Sequence, residues 1–282
     1  MQGKVCVITG ATSGIGLVAA EQLAAMGARL VLVGRDKARG EAAIARIKRR
    51  TAGAEIRIHY ADLSRLVEMS RLGSEIAAVE PRIDVLLNNA GAMFATRRVT
   101  EDGLERTFAV NHMAYFVLTN RLEERLAAAA PSRIVNTASD AHRGNTLDFD
   151  DLQSERRYRG LTAYGRSKLA NILFTRELAR RLAGSGVSAN CLHPGFVATR
   201  IADNNSGVFR LGVTIAKSLW GLSPQRGAQT MVYLASSPEV AGVTGGYFAK
   251  SRPATPTAAA QDDAAARRLW DESARIATLT TA

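Results

Sequence analysis

The feature that most restricts what this chain can fold into is a sustained alternation of short apolar runs with longer helix-patterned segments. The runs Lys4–Thr9, Arg29–Val33, Glu55–Tyr60, Ile83–Asn88, Arg133–Ala138, Val187–His193 and Gly246–Ala249 read as strands. Between them, Ile15–Met26, Lys37–Arg50, Leu63–Val79, Glu101–Ala128, Ala163–Leu182 and Gln225–Ala235 read as helices. Gly27, Pro81 and Gly184 supply natural stops. A strand made of continuous Val, Ile and Leu has to be covered on both faces. The pattern therefore predicts an α/β architecture, a doubly wound parallel sheet of about seven strands with helices on both faces. No Pro/Gly/Ser-rich linker and no repeat interrupts it, so residues 1–282 read as a single domain.

Two stretches depart from the alternation. Asp140–Leu161 is a polar insertion, and Arg200–Gly221 is punctuated by glycine. Both follow predicted strands on the side where parallel sheets keep their sites, which makes them candidate substrate walls. Within the second, Gly207–Phe209 and Ile215–Leu222 read as an apolar lid over about 200–222, with membrane-surface contact or ordinary packing as the other readings.

Composition narrows the partners. The net charge is +11, but Arg46, Lys48, Arg49, Arg50, Arg180 and Arg181 fall on polar helix faces with acids interspersed. Without an aromatic stacking platform this reads as solvated surface, and no nucleic acid is expected. No apolar run approaches the roughly 20 residues of a membrane span. The amino end lacks a charged-then-apolar signal, and two cysteines, Cys6 and Cys191, sit inside strand-like runs as free thiols. A cytoplasmic setting is the expectation. His59, His112, His142 and His193 show no metal-ligand spacing, so no metal is expected.

Chemistry concentrates in two places. Gly10, Gly14 and Gly16 lie between the first strand and first helix, in Thr9-Gly10-Ala11-Thr12-Ser13-Gly14-Ile15-Gly16. Glycines there permit a sharp turn and close approach of a pyrophosphate to a helix amino terminus, which reads as a dinucleotide cradle. At the end of the second strand, where NAD sites usually hold a carboxylate, stand Gly34 and Arg35. A guanidinium meets a 2′-phosphate bidentately, so the expected cofactor is NADP(H). Asp36 is more natural as the cap of the next helix, whereas Asp62, with Leu63, either edges an adenine or caps a helix.

The second place is Ser139 with Tyr164 and Lys168. Four residues apart on a helix, Tyr164 and Lys168 share a face. A neighbouring ammonium, with the positive nicotinamide ring, is expected to lower the phenol pKa, so that Tyr164 exchanges a proton with a carbonyl or alcohol oxygen that Ser139 holds. Asp140 and His142 are placed to touch substrate.

The chain resembles the classical short-chain dehydrogenase/reductase family over nearly its whole length. Thr9–Gly16 resembles the family's Thr-Gly-x-x-x-Gly-x-Gly, and Asn88-Asn89-Ala90-Gly91 its Asn-Asn-Ala-Gly. The resemblance implies a Rossmann fold and a catalytic set of Asn111, Ser139, Tyr164 and Lys168, with the Asn111 backbone helping to hold a relay water. It implies cofactor contacts from Thr12, Ser13, Ile15, Asn89, Ala90, Gly91, Tyr164 and Lys168, and from Pro194, Gly195, Val197 and Thr199. It also implies transfer from the pro-S face, and a homodimer or homotetramer formed through the helices starting near Glu101 and Ala163. The run Ser167–Thr175, His193-Pro194-Gly195 and Leu269-Trp270-Asp271-Glu272-Ser273 are similar to retinol dehydrogenases. The implied activity interconverts a carbonyl and an alcohol on a hydrophobic substrate, such as a retinoid, steroid, long-chain aldehyde or xenobiotic ketone. Reduction of a carbon–carbon double bond, as in protochlorophyllide reductase, and a non-catalytic NADP-binding role are the alternatives.

Overall fold

The structure, a computed structural model, describes residues 1–195 and 223–278. Eight strands form one sheet: β1 (Val5–Thr9), β2 (Arg29–Gly34), β3 (Ile56–Tyr60), β4 (Val85–Asn88), β5 (Ser132–Thr137), β6 (Val187–His193), β7 (Tyr247–Ala249) and β8 (Arg252–Pro253). Their order is β3-β2-β1-β4-β5-β6-β7-β8, parallel except for the last pair. The expected seven are all present, and β8 is a two-residue antiparallel addition too short to leave a periodic signal.

The sheet separates two cores by the alternation of its side chains. Val5, Val7, Val31, Val33, Leu86 and Ile134 face one side, against α3 (Leu66–Val79), α5 (Ala114–Ala127) and α6 (Gly160–Arg181). Cys6, Ile8, Leu30, Leu32, Leu87 and Val135 face the other, against α1 (Gly14–Ala25), α2 (Lys37–Arg50) and α7 (Pro224–Ser236). Each fully buried aliphatic side chain contributes about 1.5–3 kcal/mol, and both faces of the central strands are dry. That explains why their sequences carry no polar alternation.

At the amino-terminal edge of the sheet, buried carboxylates tie strands together. Glu80 is buried between Arg29 and Arg57. Asp84 accepts from the Val5 amide at 2.9 Å and pairs with Lys4 and Arg82. Burial alone would raise the Asp84 pKa, but these donors hold it below its usual value.

Several boundaries differ from expectation. The helix predicted at Glu101–Ala128 begins only at α4 (Arg106–Phe108), passes through a π-helical turn (Ala109–Met113) and continues as α5. Residues 100–104 instead form a turn closed by Thr100, with Gly103 at φ +76°. The Leu63 start gives way to Leu66, because Asp62 folds back onto Ser64. A further helix, α8 (Asp263–Thr278), lies along α6. Trp270 of α8 stacks on Phe174 of α6 (5.8 Å, 19°) and meets Phe116 of α5 edge-on at 5.0 Å. The helices α5 and α6, through which the resemblance implies a subunit contact, thus also hold α8 of the same chain.

A polar ladder crosses the middle of the molecule. Asn88 Nδ2 donates to Thr119 Oγ1 (3.0 Å) and Asn136 Oδ1 (2.9 Å), and Asn136 Nδ2 donates to Thr175 Oγ1 (2.9 Å). All four side chains are buried, so each depends on the others for its hydrogen bonds. Asn136→Ala is expected to cost about 2–4 kcal/mol, since the Asn88 amide and Thr175 hydroxyl lose partners that water cannot replace. Urea unfolding with an unchanged denaturant slope would measure it.

Candidate active site

The carboxyl ends of β1, β4, β5 and β6 converge where the strand order reverses, between β1 and β4. Three loops meet there: the one after Thr9, the one after Asn88 and the one after Thr137.

Thr9 joins the first two loops. Its Oγ1 accepts from the amides of Asn89 (2.8 Å) and Ala90 (3.0 Å) and donates to the Leu87 carbonyl (3.3 Å). Asn89 returns the contact, Nδ2 donating to the Thr9 carbonyl at 2.9 Å. Gly10 and Gly14 have φ of +64° and +57°, in the region that favours glycine. Gly16 is required for space: a Cβ there would run into Asn89 Nδ2 and the Gly10 carbonyl. Ser13 precedes α1 in extended backbone and its side chain leaves the helix amino terminus uncapped. Among the described residues the amides of Thr12, Ser13, Gly14, Ile15 and Gly16 donate no hydrogen bond, which fits a pyrophosphate at this helix amino terminus.

Beside this cradle, Gly34 ends β2 with a Cβ position only 2.6 Å from Thr12 Cγ2. Arg35 follows, exposed and without an ion pair among the described residues. Asp36 caps α2, accepting from the Arg39 amide at 2.8 Å, as its position predicts. Asp62 does not cap the next helix: its Oδ1 takes both the Ser64 amide (3.0 Å) and hydroxyl (2.8 Å). Leu63 is buried beside it in the core.

The third loop brings the reacting set together. Ser139 Oγ accepts from the Ala141 amide at 3.2 Å, which leaves its hydroxyl proton free to point elsewhere. Tyr164 lies on α6 with its phenol against the Ser139 side chain. Lys168, 2% exposed, passes beneath both, Nζ donating to the Thr137 carbonyl at 3.0 Å. The ammonium sits over the rings of Tyr164 (5.6 Å) and Tyr115 (5.7 Å). Asn111, in the π-helical turn, brackets Ala92: its Oδ1 accepts from the Ala92 amide (2.7 Å) and its Nδ2 donates to the Ala92 carbonyl (3.0 Å). Nδ2 also donates to Ser167 Oγ (2.9 Å), whose hydroxyl donates to the Tyr164 carbonyl (2.7 Å). A Cβ at Gly91 would stand 3.4 Å from Asn111 Oδ1 and 3.5 Å from Lys168 Nζ. The Asn89–Gly91 loop therefore lies directly on the set.

In the protein alone, without the nicotinamide charge, burial governs both groups. Burial pushes Tyr164 up to about 12, outweighing its hydrogen bond to Ser139, and pushes Lys168 down to about 7. In the protein alone Tyr164 is therefore a protonated phenol, with the ammonium over its ring.

His142 also departs from its expected place. It is fully buried and turns inward, donating from Nδ1 to the Ser139 carbonyl (2.8 Å) and accepting at Nε2 from the Thr257 amide (3.3 Å). It braces the Ser139 turn and does not face substrate. Asp140 is exposed and pairs with Arg143 at 2.6 Å. Thr137 matters through its carbonyl, which no side-chain pattern can announce; Ser167 and Thr9 do stand inside recognisable motifs. Pro194 and Gly195 follow β6, with the Gly195 amide donating to His193 Nδ1 at 3.0 Å. Val197 and Thr199 and the 200–222 lid, with its apolar segments at 207–209 and 215–222, lie outside the described residues.

Comparison with known proteins agrees with this geometry. The sequence model of the short chain dehydrogenase family matches residues 4–207. Human retinol dehydrogenase 13 is 42% identical over 282 residues, covering 98% of this chain and 85% of that protein. Human retinol dehydrogenase 14 is 42% identical over 288 residues, covering 97% and 86%. A solved protein from Mycobacterium paratuberculosis superimposes with a TM-score of 0.79 at 32% identity, covering 98% of this chain and 94% of that one. A Beutenbergia cavernae protein assigned as an NAD(P) dependent gluconate 5-dehydrogenase, solved with NADP at low occupancy, gives 0.71 at 30% identity, covering 89% and 96%. Matched from its first strand through the Asn-Asn-Ala-Gly loop to the Tyr-x-x-x-Lys helix, this chain belongs to the short-chain dehydrogenase/reductase family of oxidoreductases, in a branch similar to the retinol dehydrogenases.

Proposed function

We propose that this protein is an NADP(H)-dependent oxidoreductase that interconverts a carbonyl and an alcohol on a hydrophobic substrate, with Tyr164 as general acid and base. The observation that carries the reading is the meeting of the Tyr164 phenol, the Ser139 hydroxyl and the buried Lys168 beside the glycine cradle. When bound, a nicotinamide cofactor supplies or accepts the hydride; Gly10 and Thr12 to Gly16 would hold its phosphates, Asn89 to Gly91 its inner ribose, and Arg35 a 2′-phosphate. The remaining chemistry belongs to this chain.

A protonated phenol suits the reductive direction, because Tyr164 enters the reaction already holding the proton that the carbonyl oxygen needs. Ser139 receives the Ala141 amide and so has its own proton available for the same oxygen, stabilising charge as it develops there. Lys168 lies one side chain below and steadies the phenol as its proton leaves. The retinol dehydrogenase relatives support a hydrophobic substrate, with a retinoid first among the carbonyls to be tried.

NADPH consumption by the purified protein against retinal, long-chain aldehydes, steroids and aromatic ketones tests the reading, with product analysis separating carbonyl from carbon–carbon double-bond reduction. Tyr164→Phe should lower turnover at least about a hundred-fold while NADPH binding stays near wild type. Full activity in that variant would remove Tyr164 from the mechanism. Arg35→Ala should weaken NADPH at least roughly ten-fold more than NADH in a fluorescence titration, since only the former carries the phosphate. Equal losses would sink the assignment.

Lys168 gives a pH signature. Its pKa is about 7 when folded and 10.5 ordinarily, so between those values the unfolded chain binds the extra proton. Wild-type stability therefore rises with pH across that window, and the full cost of the buried charge is carried below about pH 7. Lys168→Met should raise Tm most at pH 6, with the gain fading towards pH 10, while abolishing turnover. A gain independent of pH would mean that the ammonium is not buried as described.

A further inference from the structure

The segment that carries Asn111 is irregular, and something has to hold it. A π-helical turn forfeits the regular hydrogen-bond ladder and persists only where its surroundings favour it. Asn111 braces one side of the turn through Ala92 and Ser167. The next residue, His112, braces the other. It is fully buried between Phe108 (5.1 Å) and Phe174 (6.0 Å), and its Nε2 lies 2.8 Å from Ser273 Oγ on α8.

Ser273 is itself fully buried and donates to the Leu269 carbonyl at 2.7 Å, one turn back along α8. Its oxygen is then the acceptor for His112 Nε2–H. Trp270, three residues earlier, locks the same stretch of helix against Phe174 and Phe116. On its far side no hydrogen bond joins the imidazole to Asn171: His112 Nδ1 and Asn171 Oδ1 both lack a partner among the described residues, and Asn171 Nδ2 donates to the Thr137 carbonyl at 3.1 Å, the same oxygen that receives Lys168 Nζ. The one directed contact that His112 makes is thus to α8, from within the turn that carries Asn111. A hydroxyl and an imidazole placed only for packing would be served as well by apolar groups of the same size, which bring no buried polar atoms to satisfy.

We propose that Ser273 is a positioning residue for the reacting centre: through His112 it fixes the π-helical turn that carries Asn111, so that α8 is a working part of the site. The proposal rests on the reading of Asn111, Tyr164 and Lys168 given above. Ser273 touches no reacting atom and acts only through His112. Removing either partner frees the same turn, so the two losses are one loss.

The test compares Ser273→Ala, His112→Leu and the double variant, with Leu269→Ala as a control that loosens α8 packing without touching the pair. Amide hydrogen exchange of residues 109–113 in the cofactor-free protein is read first, because it needs no substrate. Ser273→Ala should speed exchange there at least about ten-fold while the amides of β1, β4 and β5 keep wild-type protection. With a carbonyl that the wild type reduces, kcat should fall roughly ten-fold in each single variant, with KM and NADPH affinity little changed, and the double variant should be no worse. Leu269→Ala should lower Tm further than Ser273→Ala yet keep kcat within about two-fold. Unchanged exchange at 109–113 in Ser273→Ala overturns the proposal, as do losses that multiply in the double variant or a Leu269→Ala enzyme as slow as Ser273→Ala. Failure of the catalytic reading shows separately, as undiminished turnover in Tyr164→Phe with the exchange result standing.

Discussion

The arrangement of this molecule depends on keeping one ammonium inside it. Lys168 is almost without solvent contact, and its one hydrogen-bond acceptor among the described residues is a backbone carbonyl, that of Thr137. Burying such a charge costs several kcal/mol, which is why its pKa falls to about 7 from the usual 10.5. Several of the buried polar side chains stand around that charge. Asn171 shares the Thr137 carbonyl, and the ladder through Asn88, Asn136 and Thr175 holds β4, β5 and α6 in register so that the carbonyl stays in place. The rings of Tyr115 and Tyr164 turn their faces to the ammonium and offer the attraction that water would otherwise give. Without its partners the lysine would be the least tolerable residue in the core; with them it sets the spacing of the site.

Much of this was legible before any coordinates. Continuous apolar runs announced the doubly wound sheet because both of its faces are dry, and Asp36 announced itself as a cap by standing one residue after the strand-end Arg35. The glycines of the first loop could be read because steric need at Gly16 and positive φ at Gly10 and Gly14 leave almost no other residue possible. What stayed hidden has a common physical origin. The π-helical turn at Ala109–Met113 keeps an apolar periodicity close to that of an α-helix, so the pattern ran through it unbroken. His142 was expected to face substrate because it follows Ser139 by three residues, but its burial is decided by Thr257, more than a hundred positions away. Asp62 is drawn onto Ser64 by a two-residue turn that competes successfully with the helix behind it.

The helix α8 illustrates a different limit. Leu269, Trp270 and Ser273 were noticed as a family-like string, yet their meaning lies in what they touch: Phe174, Phe116 and His112 on two helices far earlier in the chain. A string of residues records that something is needed, whereas the packing records why. Membership of the family accounts for the sheet and the cradle; the contacts of α8 show what that string supports.

Gly34 has a bearing on how a protein of this kind can change. A side chain at that position would come within 2.6 Å of the Thr12 methyl, a stiff β-branched group in the phosphate loop. The end of β2 and the loop after β1 are therefore not independent positions. A carboxylate introduced at 34 by a single substitution would have to push the Thr12 methyl aside. Through one methyl contact, what can stand at the end of β2 is set by what stands in the loop after β1.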